Sequence, residues 1–268
     1  MKRKSLLQLL VAVGIGVLWS GLTVQAQDFQ RTYRLAPNGS IAIQNVSGDI
    51  IVTGHDGEGV IVRGTKEGPD ADKVDVQDKS TDSRIDLRVL YQQCRNCSIN
   101  ASVNFQVQVP RSSRYRLGKL NTASGNIEVS GVNGEVHVST ASGDLLIKDV
   151  SGEVKAATAS GTVRVREVAG TVNASSASGD VDVEITRLEG TESMNFSSAS
   201  GDINVKMPSN LDAEVEMSTV SGSVKTNFPI EVKREEHSGG ASARGRVGSG
   251  SRLLRISSAS GNVSLTNP

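Results

Sequence analysis

Glycine recurs in this chain at a fixed interval. Gly125, Gly143, Gly161 and Gly179 are evenly placed: 143−125, 161−143 and 179−161 each give 18. Gly134, Gly152 and Gly170 stand at the midpoints, 9 residues after the preceding member of the first set. The two halves differ. Ala lies two residues before the first set (Ala123, Ala141, Ala159, Ala177), and Val lies two before the second (Val132, Val150, Val168). The unit is therefore 18 residues with two different corners. A fixed period of this length is the mark of a stacked repeat fold.

Between glycines the sequence alternates. Apolar residues fall two and four places after each Gly: Ile127 and Val129, Val136 and Val138, Leu145 and Ile147, Val163 and Val165, Val181 and Val183. Polar residues such as Glu128, His137, Arg164 and Asp182 fall between them. Period two with β-branched residues predicts short strands buried on one face. Two strands and two turns make one coil. The chain is therefore read as all-β, a β-solenoid resembling a parallel β-helix, with like strands of successive coils paired in parallel. Two sheets meeting across a narrow interior need few large side chains, which fits an aromatic content of only 3%.

The corners follow from the same pattern. Gly125, Gly134, Gly143, Gly152, Gly161, Gly170, Gly179, Gly201, Gly222 and Gly261 are expected as turn glycines. Asp or Asn after Gly (Asn126, Asp144, Asp180, Asp202, Asn262) is expected to bond nearby amides. Thr or Ser precedes Ala-Ser-Gly in most copies, as at Thr140, Thr158, Ser176, Ser198 and Ser258, which predicts a hydroxyl ladder. The neighbouring Ala is expected to point inward and fill a tight corner.

Outside the regular repeats of 121–230 the pattern loosens. Residues 27–120 alternate less regularly and predict first coils plus a capping sheet, because an uncapped solenoid edge pairs with other chains. Residues 231–252 ("EVKREEHSGGASARGRVGSGSR") read as a Gly-rich charged loop or projecting hairpin, and 253–268 as the last strand region. The whole of 27–268 is read as one domain. Ahead of it, Lys2, Arg3 and Lys4, an apolar run from Leu6 to Trp19, and Val24-Gln25-Ala26 predict a signal peptide cleaved after Ala26. Export to the periplasm, cell surface or medium follows. The rest of the chain carries no second hydrophobic segment, so no stable membrane insertion is expected after cleavage.

Three further features carry a family resemblance: "IQNVSGDIIVTGHDG" near the start, a strand ending in Val109-Pro110 ("VQVPRSSRYRLGKLNTASGNIEV"), and the run of Ser-Gly-Asp/Asn strands closed by a Gly-rich loop and "ISSASGNVSL". In these the chain resembles the bacterial DUF4097 family of candidate adhesin domains across nearly all of its length after the signal. The resemblance implies a β-solenoid-like fold on an exported protein. It brings no catalytic residues with it.

Lys+Arg and Asp+Glu are both 29, so the net charge is zero, which argues against a nucleic-acid partner. Cys94 and Cys97 ("CRNC") lie between strand patterns and are read as a small-loop disulfide in an exported protein. A redox site would need a helix start, and zinc would need about four ligands. Asp144, Asp180, Asp182 and Asp202 invite comparison with calcium-binding nonapeptide solenoids, but the G-G-x-G-x-D phrase is missing and a turn-capping row is the better reading. Carboxylates on such a fold also raise a carbohydrate lyase or hydrolase as the alternative function. Phe105, Tyr91 and Tyr115 are too scattered to predict a sugar platform, and His55, His137 and His237 predict no triad. The expected function is a non-enzymatic, adhesin-like scaffold without cofactor or metal, binding an envelope protein or polysaccharide. Arg111, Arg114 and Arg116 with Arg244, Arg246 and Arg252 are the candidate partner surface.

Overall fold

The computed structural model describes residues 28–92, 98–234 and 239–267, so the predicted signal peptide, the Cys94–Cys97 pair and His237 lie outside the described residues. The chain folds as a β-solenoid with two faces. The strand Ile127–Ser142 belongs to both: Ile127 pairs with Leu145 in one sheet, and Val136 pairs with Val154 in the other. We call these sheet 1 and sheet 2. Sheet 1 continues through Leu145–Ser151, Val163–Ala169, Val181–Arg187 and Ile203–Lys206, all parallel. Sheet 2 continues through Val154–Ser160, Val172–Ser178 and Met194–Ser200, again parallel.

The register is the repeat made visible. Leu145 sits beside both Ile127 and Val163, so one coil consumes 18 residues. Past Ser178 the step lengthens: Ala174 pairs with Phe196, a separation of 22, and the four extra residues form the turn around Gly190. The alternating apolar residues all point inward. Ile127, Leu145, Val163, Val181 and Ile203 form one buried column, and Val136, Val154 and Val172 form another. Large side chains are not needed in the middle coils, where Ala156 and Ala174 fill the same register position that Phe196 fills further along.

The order of coils in space is not the order in sequence. In sheet 2, Ser40–Gln44 lies between Arg84–Tyr91 and Tyr115–Ser124; in sheet 1, Ile50–His55 lies between Ser102–Pro110 and Ile127–Ser142. The first coil of the chain is thus clamped by two later ones. The last coil is clamped in the same way. Leu253–Ser260 sits between Met194–Ser200 and Ala213–Ser221, and Val263–Thr266 between Ile203–Lys206 and Val224–Thr226. Antiparallel strands then cover three of the four edges of the stack, all but Val224–Thr226. Val60–Glu67 and Asp28–Tyr33 extend sheet 1 beyond Ser102–Pro110, and Val74–Asp78 covers Arg84–Tyr91. Residues 231–252 are a finding of their own. Val232–Arg234 pairs antiparallel with Ala241–Val247, and Ala241–Val247 lies antiparallel against Ala213–Ser221, so these strands are part of sheet 2. Ala241, Ala243 and Val247 are buried, and this short alternation is enough to seat the strand. Covered edges leave few unpaired backbone groups to recruit another chain.

The corner after each sheet 2 strand holds neighbouring coils together. At Gly143 φ is +149°, and a Cβ there would lie 2.0 Å from the carbonyl oxygen of Gly125 in the preceding coil. Both facts exclude any other residue. The Gly125 carbonyl accepts the Thr140 hydroxyl at 3.0 Å, the Gly143 carbonyl that of Thr158 at 3.1 Å, and the Gly161 carbonyl that of Ser176 at 2.9 Å. Ser198, Ser258 and Thr219 repeat the bond to Gly179, Gly201 and Gly261. The hydroxyl residue is the buried member of each corner, whereas Ala141, Ala159, Ala177, Ala199 and Ala259 are exposed. The expectation of an inward alanine is corrected here. Period two carried from Val154 through Ala156 places Thr158 inward and Ala159 outward.

These corners carry a prediction for thermal or denaturant unfolding. Gly143→Ala should cost about 3 kcal/mol or more, because the clash is with backbone that cannot move aside. Thr158→Val should cost about 1 to 2 kcal/mol by leaving a buried carbonyl without its donor. Ala159→Ser, beside it but exposed, should be close to neutral.

Candidate functional site

The outer face of sheet 2 presents its side chains in rows, because like positions of successive coils stand about 4.8 Å apart. One row is tall and polar: His137, Lys155, Asn173, Asn195, Arg255 and Glu216. The next row, two residues on in each strand, is short: Ser139, Ala157, Ser175, Ser197, Ser257 and Ser218. The exposed corner alanines and Val220 make a third. Small residues beside tall ones leave a shallow groove of about 780 Å³. It crosses five strand spacings, or about 24 Å. Ser139 donates to Asn121 Oδ1 at 3.0 Å. Among the described residues the hydroxyls of Ser175, Ser197 and Ser257 have no protein partner and face the groove.

The tall row ends in an ion triad. Glu216 accepts from Arg244 at 2.5 Å and from Arg255 at 2.8 Å. The Arg255 hydrogen bond, reinforced by the charge of Arg244, holds the Glu216 carboxyl below its ordinary range. At the other end, Glu135, His137 and Glu153 converge, with ligand-type atoms all within 4.8 Å of one another. Sequence reading did not single out this trio. The signal was present, since 153−135 gives 18 and places the two glutamates side by side once the coil length is known.

The arginines chosen from sequence separate into two groups. Arg111, Arg114 and Arg116 sit at and beside the start of Tyr115–Ser124, exposed, with Arg116 paired to Glu135 at 2.7 Å and Arg111 3.9 Å from Asp149. Arg244 and Arg246 are exposed on Ala241–Val247, seven sheet 2 spacings away, or about 34 Å. Arg252 belongs to neither surface: it is 8% exposed and donates to the Gly190 carbonyl at 2.6 Å. It packs the lengthened turn against the last coil. The six residues are not one surface.

The other sequence candidates have local roles. Asp144 Oδ1 accepts the Thr162 amide at 2.8 Å, Asp180 Oδ1 the Asp202 amide at 2.8 Å, and Asp202 Oδ1 the Asn262 amide at 2.7 Å. Asp182 accepts the Asn204 side-chain amide at 3.0 Å. These carboxylates cap the next coil's corner or bridge to it. His55 bonds within its own turn, to Gly57 N and Gly59 O. Phe105 and Tyr115 are buried, and the Tyr91 hydroxyl bonds the Ala101 carbonyl at 3.0 Å, so the three form no exposed platform. The ten turn glycines all have positive φ.

The turn that leads from Arg244 and Arg246 into the last coil is pinned by Asp212. Its carboxylate accepts the Ser249 hydroxyl at 2.8 Å and the Gly250 amide at 2.7 Å, and these bonds pull it from 3.8 to about 2. A lowered folded-state value means the contribution is present above the ordinary carboxylate range and is lost as pH falls toward about 2. Between pH 4 and 2 the melting temperature of the natural chain should therefore fall more steeply than that of Asp212→Asn. Parallel slopes would contradict the assignment.

The sequence profile described as Toastrack DUF4097 matches residues 25–266. No characterised protein compared by sequence matches the chain. Among solved structures, a candidate cell adhesion protein from Clostridium sporogenes is 12% identical, covers 90% of this chain and 100% of its own, and has a TM-score of 0.35. A candidate adhesin from Bacteroides fragilis is 14% identical, with 90% and 97% covered and a TM-score of 0.35. Another from Parabacteroides distasonis is 11% identical, with 89% and 97% covered and a TM-score of 0.38.

Proposed function

The chain belongs to the Toastrack DUF4097 family, and on that premise we propose that it is an exported, non-catalytic, adhesin-like scaffold that holds an extended envelope polysaccharide along the outer face of sheet 2. In this reading residues 1–26 are removed on export, 27–268 act as one domain, and Cys94 and Cys97 close a small disulfide loop. No helix among the described residues is long and apolar enough to cross a membrane.

The groove carries the proposal. It is long, shallow and lined by free hydroxyls and methyl groups at regular steps, which suits a repeating chain better than an enclosed small molecule. An extended peptide is usually captured by adding a strand to an open sheet edge. Here antiparallel strands cover the edges at Ser102–Pro110, Arg84–Tyr91 and Ala213–Ser221, and the remaining edge, Val224–Thr226, is only 3 residues long, so the outer face is the larger surface. A sugar polymer can satisfy hydroxyls from the face itself. Without an aromatic platform each contact is weak, so the affinity must come from many contacts along one chain.

The non-catalytic part of the reading rests on geometry. In glycoside hydrolysis the two carboxyl groups flank the scissile bond. Glu135 and Glu153 project side by side from neighbouring strands, and Asp182 and Asp202 serve the coil-to-coil contacts described above.

A screen of the mature protein against purified envelope polysaccharides tests both parts. Retention without cleavage is expected, and it should fall at least tenfold (about 1.4 kcal/mol) in Ser175→Phe, which fills the groove floor. Folding is checked by an unchanged far-ultraviolet spectrum. Retention of an envelope protein alone would replace the polysaccharide assignment. Cleavage lost in Asp182→Ala, Asp202→Ala or Glu153→Gln would overturn the non-catalytic reading.

A further inference from the structure

We propose that Glu135, His137 and Glu153 form a binding site for a divalent transition metal with the coordination preferences of zinc. The proposal does not depend on the groove binding a polymer.

The coil geometry brings the three residues together. Val136 pairs with Val154, so Glu135 stands beside Glu153 and His137 beside Lys155. Period two puts Glu135 and His137 on the same outward side of their strand. One imidazole nitrogen and two carboxylate oxygens then lie within 4.8 Å of one another. Imidazole nitrogen and carboxylate oxygen are both zinc ligands, and tetrahedral sites with three protein ligands and one open position are built from such donors. Binding requires side-chain rotation to bring the donors from this spacing to bonding distance.

The histidine supplies a second, independent observation. His137 Nε2 is shielded from solvent and has no hydrogen-bond partner among the described residues. A shielded nitrogen without a partner is unfavourable, and a metal ion would satisfy it. The donor types narrow the choice of ion. An imidazole with carboxylates suits zinc, copper or nickel, whereas calcium and magnesium prefer all-oxygen shells.

The charges around the trio describe what the metal must displace. Arg116 Nε binds Glu135 Oε2 at 2.7 Å, and Lys155 Nζ binds Glu153 Oε1 at 2.6 Å. Two adjacent carboxylates repel each other, and these cations offset the repulsion. A divalent ion between the carboxylates does the same at closer range, with Lys155 released toward solvent and Arg116 able to stay on Glu135. The lysine makes zinc affinity moderate, and removing it should strengthen binding.

Titration calorimetry of the mature protein with zinc chloride tests the site. One ion per chain is expected at this site, with affinity reduced about tenfold or more in Glu153→Gln and His137→Ala. Lys155→Ala should bind more tightly than the natural chain. In nuclear magnetic resonance, the His137 imidazole signals should shift on zinc addition, a readout that needs no variant to fold. The result that overturns the proposal is zinc binding left unchanged by both ligand substitutions, or unmoved His137 signals at saturating zinc. Equal competition by calcium would also overturn it.

Discussion

The corner where a Thr or Ser hydroxyl meets the glycine carbonyl of the preceding coil sets everything else in this molecule. Gly143 must lack a side chain because Gly125 O would lie 2.0 Å from a Cβ. That contact fixes how far one coil advances past the last. Once the advance is fixed, residues 18 apart stand side by side, the apolar columns close, and the outward rows align. The hydroxyl supplies the donor that a buried carbonyl requires, and Asn or Asp next to the glycine supplies an acceptor for the next coil's amide, as Asn126 does for Asp144 at 2.8 Å. The corner is thus satisfied coil to coil, with a repeating set of bonds replacing a thick core.

Much of this was legible in the sequence. Alternation about each glycine identified the strands and their buried faces, and the spacing gave the coil length. The parts that were not legible depend on which strands meet. Leu253–Ser260 has the same pattern as Met194–Ser200, and nothing local tells it to enter between that strand and Ala213–Ser221. The alanine corner is decided by parity and not by size: alternation from Val154 through Ala156 turns Thr158 inward and leaves the small Ala159 exposed. Arg252 reads as a surface cation among glycines and serines, yet the lengthened turn at Gly190 folds over it. Glu135 and Glu153 were within reach, because their separation is the repeat length itself.

Clamping the first and last coils inside the stack has a consequence for a protein that presents a face. In a simple solenoid the terminal coils have one neighbour and open first. Here the first and last coils each have a neighbour on both sides, and three of the four outermost strands are covered by antiparallel partners, Val224–Thr226 being the exception. The groove on sheet 2 runs across Leu253–Ser260 without reaching a frayed end, so its rows keep a common spacing. A surface built from weak, repeated contacts needs that regularity.

Native-state hydrogen exchange measures whether the stack holds as one unit. The Gly143 amide, in the middle, donates to Ser160 at 3.0 Å, and the Gly261 amide, in the last coil of the chain, donates to Ser221 at 2.9 Å. If the clamped corners bind the coils together, both amides exchange only through global unfolding and report the same opening free energy. A Gly261 amide that exchanges much faster than Gly143, with protection rising steadily from the last coil inward, would show that the end frays and that the corner ladder does not hold the stack as described.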